Sequence, residues 1–422
     1  MKLQKILNRL QKLHPKEIDL SLERIQKLCK KLGDPQDNLK YISIVGTNGK
    51  YSTIQAIRAI LKEANINCNI YTSPHIQKIN ERFIYNDKEI SDENLSQILN
   101  EVEEINDGDP ITYFEILTAA FFYNARKYKK NINLIESGLF HRFDATNIIK
   151  ENLASVVTSC GLDHLDWLPK NKKTLENIIF EKTSSLLNSR IIIAKQSSKE
   201  TLNIIKKNIS KNPSKKTIFN EQFNCSENEN GFIYYEDEFG GLKLPQPNLL
   251  GGFQIYNVAS AVATVRNLNL KIQDKHIKNG ITKIKSIGRL QEIKKGKIKN
   301  LCKNNKIFVD GSHNSLGAEV LNKYLKSLDC NKHIILGMMS NKDHINYMSY
   351  FNDRINSITT IDIHNQINSI NGYDLMKKLN GFNNVSYKKS LQEAISSIQF
   401  EEKDIVLITG SLYLAGEVLN LN

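Results

Sequence analysis

Long apolar runs are missing from this sequence. No stretch in its 422 residues approaches the roughly 18 apolar residues that a membrane-spanning helix needs. Residues 1–33 have a basic amphipathic helical pattern but lack the apolar centre of a signal peptide. These absences argue against a membrane or secreted protein, and we expect a cytoplasmic one.

Closely spaced cysteines are missing as well. The six cysteines lie far apart, and no C-x-x-C pair occurs. Zinc ribbons and disulfide frameworks depend on such pairs or on dense cysteine spacing. We therefore predict free thiols and no zinc site.

Acidic residues are outnumbered, since 58 Lys and Arg stand against 45 Asp and Glu for a net charge of +13. Such a charge is one mark of nucleic-acid binding. The lysines, however, are spread along the chain rather than gathered beside aromatic residues. An anionic small substrate such as ATP or a poly-acid accounts for the charge as well, and we expect no nucleic-acid or membrane partner.

The length of 422 residues is too great for one ordinary domain. A strand, a helix and a second strand alternate over 42–71, and a similar alternation returns over 306–409. We predict a boundary near 284–288, with domains at 1–285 and 286–422. The expected fold class is α/β, with a P-loop parallel-sheet ATPase domain followed by a smaller Rossmann-like α/β domain.

A glycine-bracketed loop is the centre of the first domain. A strand pattern over 42–45 runs into the loop, and a helical pattern over 54–64 follows it. In such loops the glycines let backbone N–H groups point at phosphate oxygens, and the lysine reaches the terminal phosphates. The spacing G-x-x-G-K-x-S-T is shorter than the common one, and a bulky tyrosine follows the lysine. The predicted phosphate-binding residues are Gly46, Thr47, Asn48, Gly49, Lys50, Tyr51 and Ser52.

Polar residues also follow other predicted strands. Because the carboxyl ends of parallel strands share one rim, we expect these side chains to converge. Oxygen ligands suit magnesium, which is normally held by a few protein groups together with phosphate and water. Taken singly, each residue is explained by a helix cap or a turn, whereas the set beside a lysine loop favours a magnesium site. Its members are Ser52, Ser73, Glu136 and His164.

Four other residues are less informative. Glu181 and Lys182 lie in a helical pattern over 174–187, where a charged pair is usually a solvated face. Asp310 follows a strand pattern, and it is explained equally by a ribose contact and by an Asx turn. Arg289 lies in the predicted inter-domain segment, and we expect it to reach phosphates.

The order of short motifs resembles that of the Mur ligase superfamily, most closely its folylpolyglutamate synthase/dihydrofolate synthase branch. One such motif is weak, but the series spans nearly the whole chain. Tyr-Thr-Ser-Pro-His and Asp-Ala-Thr-Asn favour the folate branch over the peptidoglycan branch. The motifs are Gly46-Thr47-Asn48-Gly49-Lys50, Tyr71-Thr72-Ser73-Pro74-His75, Phe114-Glu115, Asp144-Ala145-Thr146-Asn147, Gly161-Leu162-Asp163-His164, Glu181-Lys182, Gly288-Arg289, Asp310-Gly311-Ser312-His313-Asn314, Lys342-Asp343 and Gly410-Ser411-Leu412-Tyr413.

The resemblance implies roles for these residues. It makes Lys182 a lysine that is carboxylated to a carbamate (N6-carboxylysine) and supports the second of two magnesium ions. It implies metal ligands at Ser52, Ser73, Glu136 and His164, and catalytic roles for Lys50, Lys182, His164 and Arg289. The implied ATP contacts beyond the loop are Asn257, Arg289, Asp310 and His313. The implied pterin or pteroate contacts are Ile18, Asp19, Leu20, Thr112, Tyr113, Phe114, Glu115, Arg142, Phe143, Asp144 and Ala145.

The implied activity is ATP-dependent addition of L-glutamate to dihydropteroate, to the γ-carboxyl of a reduced folate, or to both, through an acyl phosphate. The implied protein is a monomer. Two alternatives remain, an amide ligase of the Mur type with another carboxylate substrate and a catalytically impaired paralogue. The second rests on three departures from the family pattern, which are Tyr51 for a small residue, Phe140-His141 for Gly-Gly, and Thr183-Ser184 for Ala-Gly.

Overall fold

The structure is a computed structural model of the chain, and it describes residues 2–16, 19–228, 231–302, 304–351, 355–364 and 366–422. The chain divides into two compact units. The first comprises the chain up to Asn248 together with Ile255–Ile284, and the second comprises Leu249–Gln254 with Lys285–Asn422. Both units are α/β with mostly parallel sheets, which confirms the predicted fold class.

The first unit is built on an eight-stranded sheet, counted over the described residues. Its strands are β1 (Lys40–Val45), β2 (Cys68–Tyr71), β3 (Phe83–Tyr85), β4 (Lys88–Glu89), β5 (Ile132–Glu136), β6 (Ala154–Val157), β7 (Arg190–Ile193) and β8 (Lys215–Ile218). Their order across the sheet is β4-β3-β2-β5-β1-β6-β7-β8. β3 and β4 form an antiparallel edge, and the other neighbours pair in parallel. The carboxyl ends of the parallel strands therefore lie along one rim.

Helices accompany this sheet, and a small antiparallel sheet follows it along the chain. The small sheet consists of β9 (Phe223–Glu227), β10 (Ile233–Asp237) and β11 (Gly240–Leu244). Within the described residues, none of the helices is both long and apolar enough to cross a bilayer. The helices of this unit are α1 (Lys2–Leu10), α2 (Glu23–Lys31), α3 (Lys50–Glu63), α4 (Asp92–Asn106), α5 (Tyr113–Ala125), α6 (Leu175–Thr183), α7 (Lys199–Asn208), α8 (Gln254–Arg266) and α9 (Asp274–Ile281).

The central strands and α5 form the core of the first unit. All five residues of β5 are buried, as expected for a parallel strand covered on both faces. Helix α5 begins with a capping box in which the Thr112 hydroxyl accepts from Glu115 N and the Glu115 carboxylate accepts from Thr112 N. Its residues Leu117 and Phe121 are fully buried, so the aromatic pattern of this helix reports core packing.

The second unit repeats the parallel architecture on a smaller scale. Its strands are β12 (Gln291–Glu292), β13 (Lys306–Val309), β14 (Lys332–Leu336), β15 (Ile355–Thr360), β16 (Val385–Tyr387) and β17 (Ile405–Thr409). They are ordered β12-β13-β17-β14-β15-β16, and within the described part of this sheet only the short β12 pairs antiparallel. Its helices are α10 (Lys297–Leu301), α11 (Ser315–Lys326), α12 (His344–Ser349), α13 (Gly372–Lys378), α14 (Leu391–Ser396) and α15 (Leu412–Leu421).

Helix α6 is shorter than predicted. The pattern over 174–187 predicts a longer helix, but α6 ends at Thr183 with Ser184 as its C-cap. Its Glu181 carbonyl accepts hydrogen bonds from the backbone N–H groups of His141 and Arg142. A distant turn thus satisfies one of the carbonyls that a helix end leaves without an intrahelical partner.

Candidate functional site

The loop between β1 and α3 has the geometry of a phosphate cradle. Gly49 adopts φ 89° and stands at the N-cap of α3. Lys50 is the first residue of that helix, and its Nζ donates to Gly46 O and Thr47 O at 3.2 Å each. The ammonium group therefore lies over the loop at a helix N-terminus, which is a favourable place for anions.

The end of β6 holds this loop from one side. Ser159 O accepts from Thr47 N at 2.8 Å and from Asn48 N at 3.1 Å. The Thr47 hydroxyl lies 3.0 Å from Gly161 N. Gly46, at φ 151°, packs so closely that a Cβ there would lie 2.0 Å from Thr158 Oγ1. The loop conformation therefore depends on a glycine and on residues about a hundred positions away.

Asn257, on α8, lies against the same loop. A Cβ at Gly49 would meet Asn257 Oδ1 at 2.5 Å. The structure thus brings this predicted ATP-contacting residue next to the phosphate loop. Close contact at Gly49 also explains why a side chain is not accommodated there.

Glu136 and Ser73 meet at the rim beside the loop. Ser73 N donates to Glu136 Oε2 at 3.3 Å, and Lys50 Nζ lies 3.7 Å from Glu136 Oε1. Glu136 is 5 % exposed and Ser52, in the first turn of α3, is 3 % exposed. Three of the predicted residues are therefore joined directly, and a buried carboxylate lies beside the lysine of the phosphate loop.

The donors at this rim fit magnesium better than a softer metal. Within the described residues, no group of three or more His, Cys, Asp and Glu side chains forms a metal cluster. The candidate set instead combines hydroxyls, one carboxylate and one imidazole. A site with few protein ligands leaves room for phosphate oxygens and water, as magnesium requires.

His164 lies at the same rim, after β6. It adopts a left-handed backbone conformation with φ 59°. Its Nε2 lies 3.9 Å from Asp163 Oδ2, and its backbone N–H donates to Asp163 Oδ1 at 2.8 Å. Its ring meets the ring of Phe140 edge to face, with centroids 6.4 Å apart. The aromatic contact links His164 to the turn that surrounds Lys182.

Lys182 is not on a solvated face, and that sequence interpretation is wrong. Its side chain is 1 % exposed. Its Nζ donates to Gly46 O at 3.1 Å and to Leu139 O at 2.9 Å. Burial, together with the charge of Lys50, lowers the pKa of Lys182 to about 8. The amine is thus held against the phosphate loop and is uncharged in part of the molecules at neutral pH.

The unusual pair Phe140-His141 is buried beside this lysine. Phe140 packs with Leu168 and Ile178, and Lys182 Nζ lies 5.5 Å from the centroid of its ring. His141 Nδ1 is 2.9 Å from Ser137 Oγ. Burial and the charge of Lys182 lower the pKa of His141 to about 4, so the imidazole is neutral at physiological pH. Both side chains fill space and make contacts, which shows how the fold accommodates this departure.

The turn after Phe140 contains the predicted residues Arg142 to Ala145. Asp144 is buried, and its Oδ2 accepts from Gly138 N at 2.8 Å while its Oδ1 accepts from Thr146 N at 3.0 Å. Burial raises the pKa of Asp144. Ala145 is buried and Phe143 is exposed. The Asp144 carboxylate therefore shapes the turn, and Phe143 is the member that faces solvent.

Two of the other predicted acceptor-binding residues, Asp19 and Glu115, form a charged group with Arg24. Its guanidinium donates to both carboxylate oxygens of Glu115 at 3.0 Å and to Asp19 Oδ2 at 2.8 Å. Leu20 packs against the cluster of Phe140, Leu168 and Ile178. Arg24 joins segments 91 positions apart, and its role was not predicted from the sequence. Tyr113 and Phe114 are half-buried at the start of α5, whereas Ile18 lies outside the described residues.

In the second unit, hydrogen bonds to the backbone join the segments that carry Arg289, Asp310 and His313. Asp310 is buried, its Oδ2 accepts from Leu290 N at 2.7 Å and its Oδ1 from Ser312 N at 2.7 Å. Gly311 N donates to Gly288 O at 2.9 Å. Burial raises the pKa of Asp310. The segment that carries Arg289 is thus fixed against the loop that carries His313.

Two further residues support this loop, and no motif pointed to them. The Tyr347 hydroxyl lies 2.9 Å from Ser312 Oγ and 2.7 Å from Thr409 Oγ1. Tyr347 is fully buried on α12, and Thr409 ends β17. A sequence pattern indicates only that such a tyrosine is a core residue, because its hydrogen-bond partners lie on distant segments of the chain.

The fold and the site together define the class of this protein, an α/β ligase of the Mur type with a nucleotide-binding phosphate loop. Residues 293–421 match the family described as dihydrofolate synthetase, C-terminal domain. The probable dihydrofolate synthetase of Schizosaccharomyces pombe is 30 % identical over 74 % of this chain and 73 % of its own length. The chain belongs to the dihydrofolate synthase/folylpolyglutamate synthase family, and it is an enzyme of the ligase class.

Two other relatives cover almost the whole chain. The dihydrofolate synthase/folylpolyglutamate synthase of Bacillus subtilis is 29 % identical over 94 % of both chains. The solved structure described as E. coli FolC in complex with DHPP and ADP superposes with a TM-score of 0.87 at 25 % identity, covering 99 % of this chain and 97 % of that one. The similarity therefore includes both units of the fold.

Proposed function

We propose that this protein is an ATP-dependent ligase that joins L-glutamate to dihydropteroate, to the γ-carboxyl of a reduced folate, or to both, with release of ADP and phosphate. The observation that carries the proposal is the meeting of Lys50, Glu136 and the buried Lys182 around one phosphate loop. The named activities of the relatives and the ADP in the E. coli complex support it.

The chemistry requires activation of a carboxylate. An ionised carboxylate is a poor electrophile, so its oxygen first attacks the γ-phosphorus of ATP, and ADP leaves. The resulting acyl phosphate has a good leaving group. The uncharged amine of glutamate then attacks the acyl carbon, the C–N bond forms, and phosphate departs. Both transfers depend on positioning and on neutralising phosphate charge.

In this scheme the loop residues bind and orient ATP. The N-terminus of α3, with the backbone N–H groups of Gly49 and Lys50, cradles the phosphates, and the Lys50 ammonium approaches their terminal oxygens. Lys50 keeps its position in the cradle because Gly46 O and Thr47 O hold its Nζ. A cation fixed in advance stabilises the charge that develops on the transferring phosphoryl group.

We propose that Ser52, Ser73, Glu136 and His164 hold magnesium, and that two ions bind. Bound magnesium would supply charge neutralisation and orientation of phosphate oxygens. The residues fit this role because hydroxyl and carboxylate oxygens are the donors magnesium prefers. Glu136 is already buried beside Lys50, so its carboxylate has little freedom to move.

We also propose that Lys182 is carboxylated. The Nζ lone pair would attack the carbon of CO₂, an N–C bond would form and a proton would leave Nζ. This reaction needs a neutral amine, and the lowered pKa of about 8 provides one. A neutral amine has two N–H groups, which match the two carbonyl acceptors Gly46 O and Leu139 O.

For the acceptor we propose a site formed by Asp19, Leu20 and the segments 112–115 and 143–145. Leu20 packs on the Phe140 cluster, which adjoins Lys182. For the second unit we propose nucleotide contacts by Arg289, Asp310 and His313, supported by the backbone bonds that join their segments. We propose a monomer for the active form.

Phosphate release from ATP tests the proposal directly. Release is expected only when both L-glutamate and either dihydropteroate or a reduced folate are present, because the acyl phosphate forms only on a bound acceptor. The measurement is a continuous phosphate assay with each component omitted in turn. Lys50→Ala serves as the control for contaminating ATPase, and its rate should fall to the background.

A correctly folded protein that releases no phosphate with either acceptor would sink the folate assignment. Turnover with a different carboxylic acid would then favour a Mur-type ligase of another substrate. The ratio of rates with dihydropteroate and with a reduced folate would decide between the two folate activities.

Tyr51→Gly tests the unusual residue of the phosphate loop. Tyr51 is the second residue of α3 and is half-buried. We expect about a twofold rise in the KM for ATP, since glycine is about 0.5 kcal/mol less favourable than tyrosine in a helix. Tyr51→Ala removes the same ring but does not lower the helix propensity. Comparing the two variants therefore distinguishes the effect of the ring from the effect of backbone flexibility. A large gain in ATP affinity in either variant would mean that Tyr51 impairs the enzyme.

A further inference from the structure

The turn at 139–142 is bound to the end of α6 by both backbone and side-chain contacts. Glu181 O accepts from His141 N at 3.1 Å and from Arg142 N at 3.0 Å. The Glu181 carboxylate accepts from Arg142 Nε at 2.9 Å and from Arg142 Nη2 at 2.6 Å. The guanidinium and the carboxylate therefore form a bidentate ion pair, a geometry that fixes the orientation of the two groups as well as their distance.

Aromatic rings flank this ion pair. The Arg142 guanidinium carbon lies 4.3 Å from the ring centroid of Phe143 and 5.3 Å from that of Phe180. Stacking on a ring restricts the guanidinium further. The Arg142 and Glu181 side chains are 38 % and 13 % exposed, so the pair is partly screened from water.

Lys182 is the next residue after Glu181, and it is bound to the same turn. Its Nζ donates to Leu139 O, three residues before Arg142. On the far side of the turn, the His141 ring bonds Ser137, whose backbone N–H donates to Ile44 O of β1. The turn is thus fixed to the sheet at one end and to α6 at the other, and it supplies one of the two acceptors that aim Lys182.

We propose that Arg142 is a positioning residue for Lys182. Its bidentate pair with Glu181 holds the 139–142 turn against α6. Leu139 O of that turn and Gly46 O then fix Lys182 Nζ at the phosphate loop. This inference rests on the proposed function for the role of Lys182 in turnover. It differs from the role that the resemblance implies for Arg142, which is direct contact with the acceptor substrate.

The two roles predict different kinetics. A residue that binds the acceptor through its charge raises the KM for the acceptor when it is removed, and lysine replaces it in part. A residue that aims Lys182 lowers kcat with the KM for the acceptor nearly unchanged. Lysine cannot replace arginine as a positioning residue, because an ammonium group does not form the planar bidentate pair with a carboxylate that a guanidinium forms.

The bidentate ion pair of Arg9 and Glu103 provides a matched control. Arg9 Nε donates to Glu103 Oε1 at 2.6 Å, and Arg9 Nη2 bonds the other oxygen. The pair joins α1 to α4, and its side chains are 52 % and 17 % exposed. Geometry and exposure resemble those of the Arg142–Glu181 pair, but none of the described site residues bonds to Arg9 or Glu103.

The experiment compares Arg142→Lys, Arg142→Ala, Glu181→Gln and Arg9→Ala. We expect kcat to fall about tenfold to a hundredfold in the first three, with the KM for the acceptor within about twofold, because small misplacements of a reacting group have effects of this size. Arg9→Ala is expected to keep kcat within about twofold of the unmodified enzyme. A raised KM with unchanged kcat, and near-normal activity of Arg142→Lys, would overturn the proposal in favour of acceptor binding.

A second readout needs no turnover. Acetic anhydride labelling of Lys182 in CO₂-free buffer, measured by peptide mass spectrometry without ATP or acceptor, reports how well the unmodified Nζ is held. Lys182 should be strongly protected relative to Lys207, whose side chain is 76 % exposed. We expect labelling to rise about tenfold in Arg142→Ala and Glu181→Gln but not in Arg9→Ala, since loosened contacts open the site locally.

The labelling result stands independently of the assigned reaction. If the protein proves inactive with every folate acceptor while labelling follows the expected order, the proposed function fails and the positioning role stands. If the enzyme is active but Lys182 remains equally protected in all four variants, the positioning role is wrong. Circular dichroism and thermal unfolding of each variant identify a protein that has simply failed to fold.

Discussion

Lys182→Ala is expected to lower kcat at least about a hundredfold. Removing one preorganised group that stabilises developing charge in a buried site typically costs about 10² to 10³ in rate. Lys182 has that position, since its side chain is 1 % exposed and its Nζ bonds Gly46 O of the phosphate loop. The measurement is kcat for phosphate release with saturating ATP, glutamate and acceptor.

Lys332 provides the control for this substitution. It is a second buried lysine, 2 % exposed, whose Nζ donates to Leu328 O at 2.7 Å and to Cys330 O at 2.8 Å. Lys332→Ala should destabilise the protein as any buried truncation does, but it should leave kcat within about threefold because none of the described site residues bonds to Lys332. A loss below about tenfold for Lys182→Ala would argue against the carbamate and against a role in phosphoryl transfer.

Gly46→Ala is expected to abolish measurable ATP binding. A Cβ at this position would lie 2.0 Å from Thr158 Oγ1 and 3.2 Å from the Thr158 backbone carbon. The backbone there has φ 151°, and such strain alone costs about 1–3 kcal/mol. The loop has to move, which displaces both the cradle and the carbonyl that accepts from Lys182. Isothermal titration with a non-hydrolysable ATP analogue measures the loss.

Gly33→Ala separates the clash from the strain. Gly33 also has a positive φ, 77°, but a Cβ there would meet nothing within 4 Å. It should lower the unfolding free energy by about 1 kcal/mol and leave ATP affinity unchanged. Normal ATP binding by Gly46→Ala would contradict the view that this loop forms the phosphate cradle.

The phosphate loop could be predicted from sequence because its signal is local. Strand, glycine turn, lysine and helix follow one another within 40–63, and the structure places β1 and α3 there. The same holds for Glu136 and Ser73, since polar residues at the ends of parallel strands must share a rim. Their direct contact at 3.3 Å agrees with that reasoning.

Long-range contacts could not be predicted in this way. Lys182 looked like part of a solvated face, but its acceptors Leu139 and Gly46 lie 43 and 136 positions away. Arg24 and Tyr347 are similar cases, because each joins segments that are neighbours only after folding. Local periodicity indicates which face of a helix is apolar, but it does not show that the charged end of a side chain is buried by another segment.

The Phe140-His141 pair also affects the unfolded chain. Neither residue adopts a positive φ, so the turn does not need the conformational freedom of the Gly-Gly pair typical of the family. Replacing glycine at a compatible position removes disordered conformations and stabilises the folded form by about 0.4–1 kcal/mol for each site. Phe140 and His141 therefore favour the ordered turn over the unfolded chain, in addition to any stabilisation from their packing contacts. We infer that a Gly-Gly variant of this turn would populate open forms more often and would protect Lys182 from labelling less well.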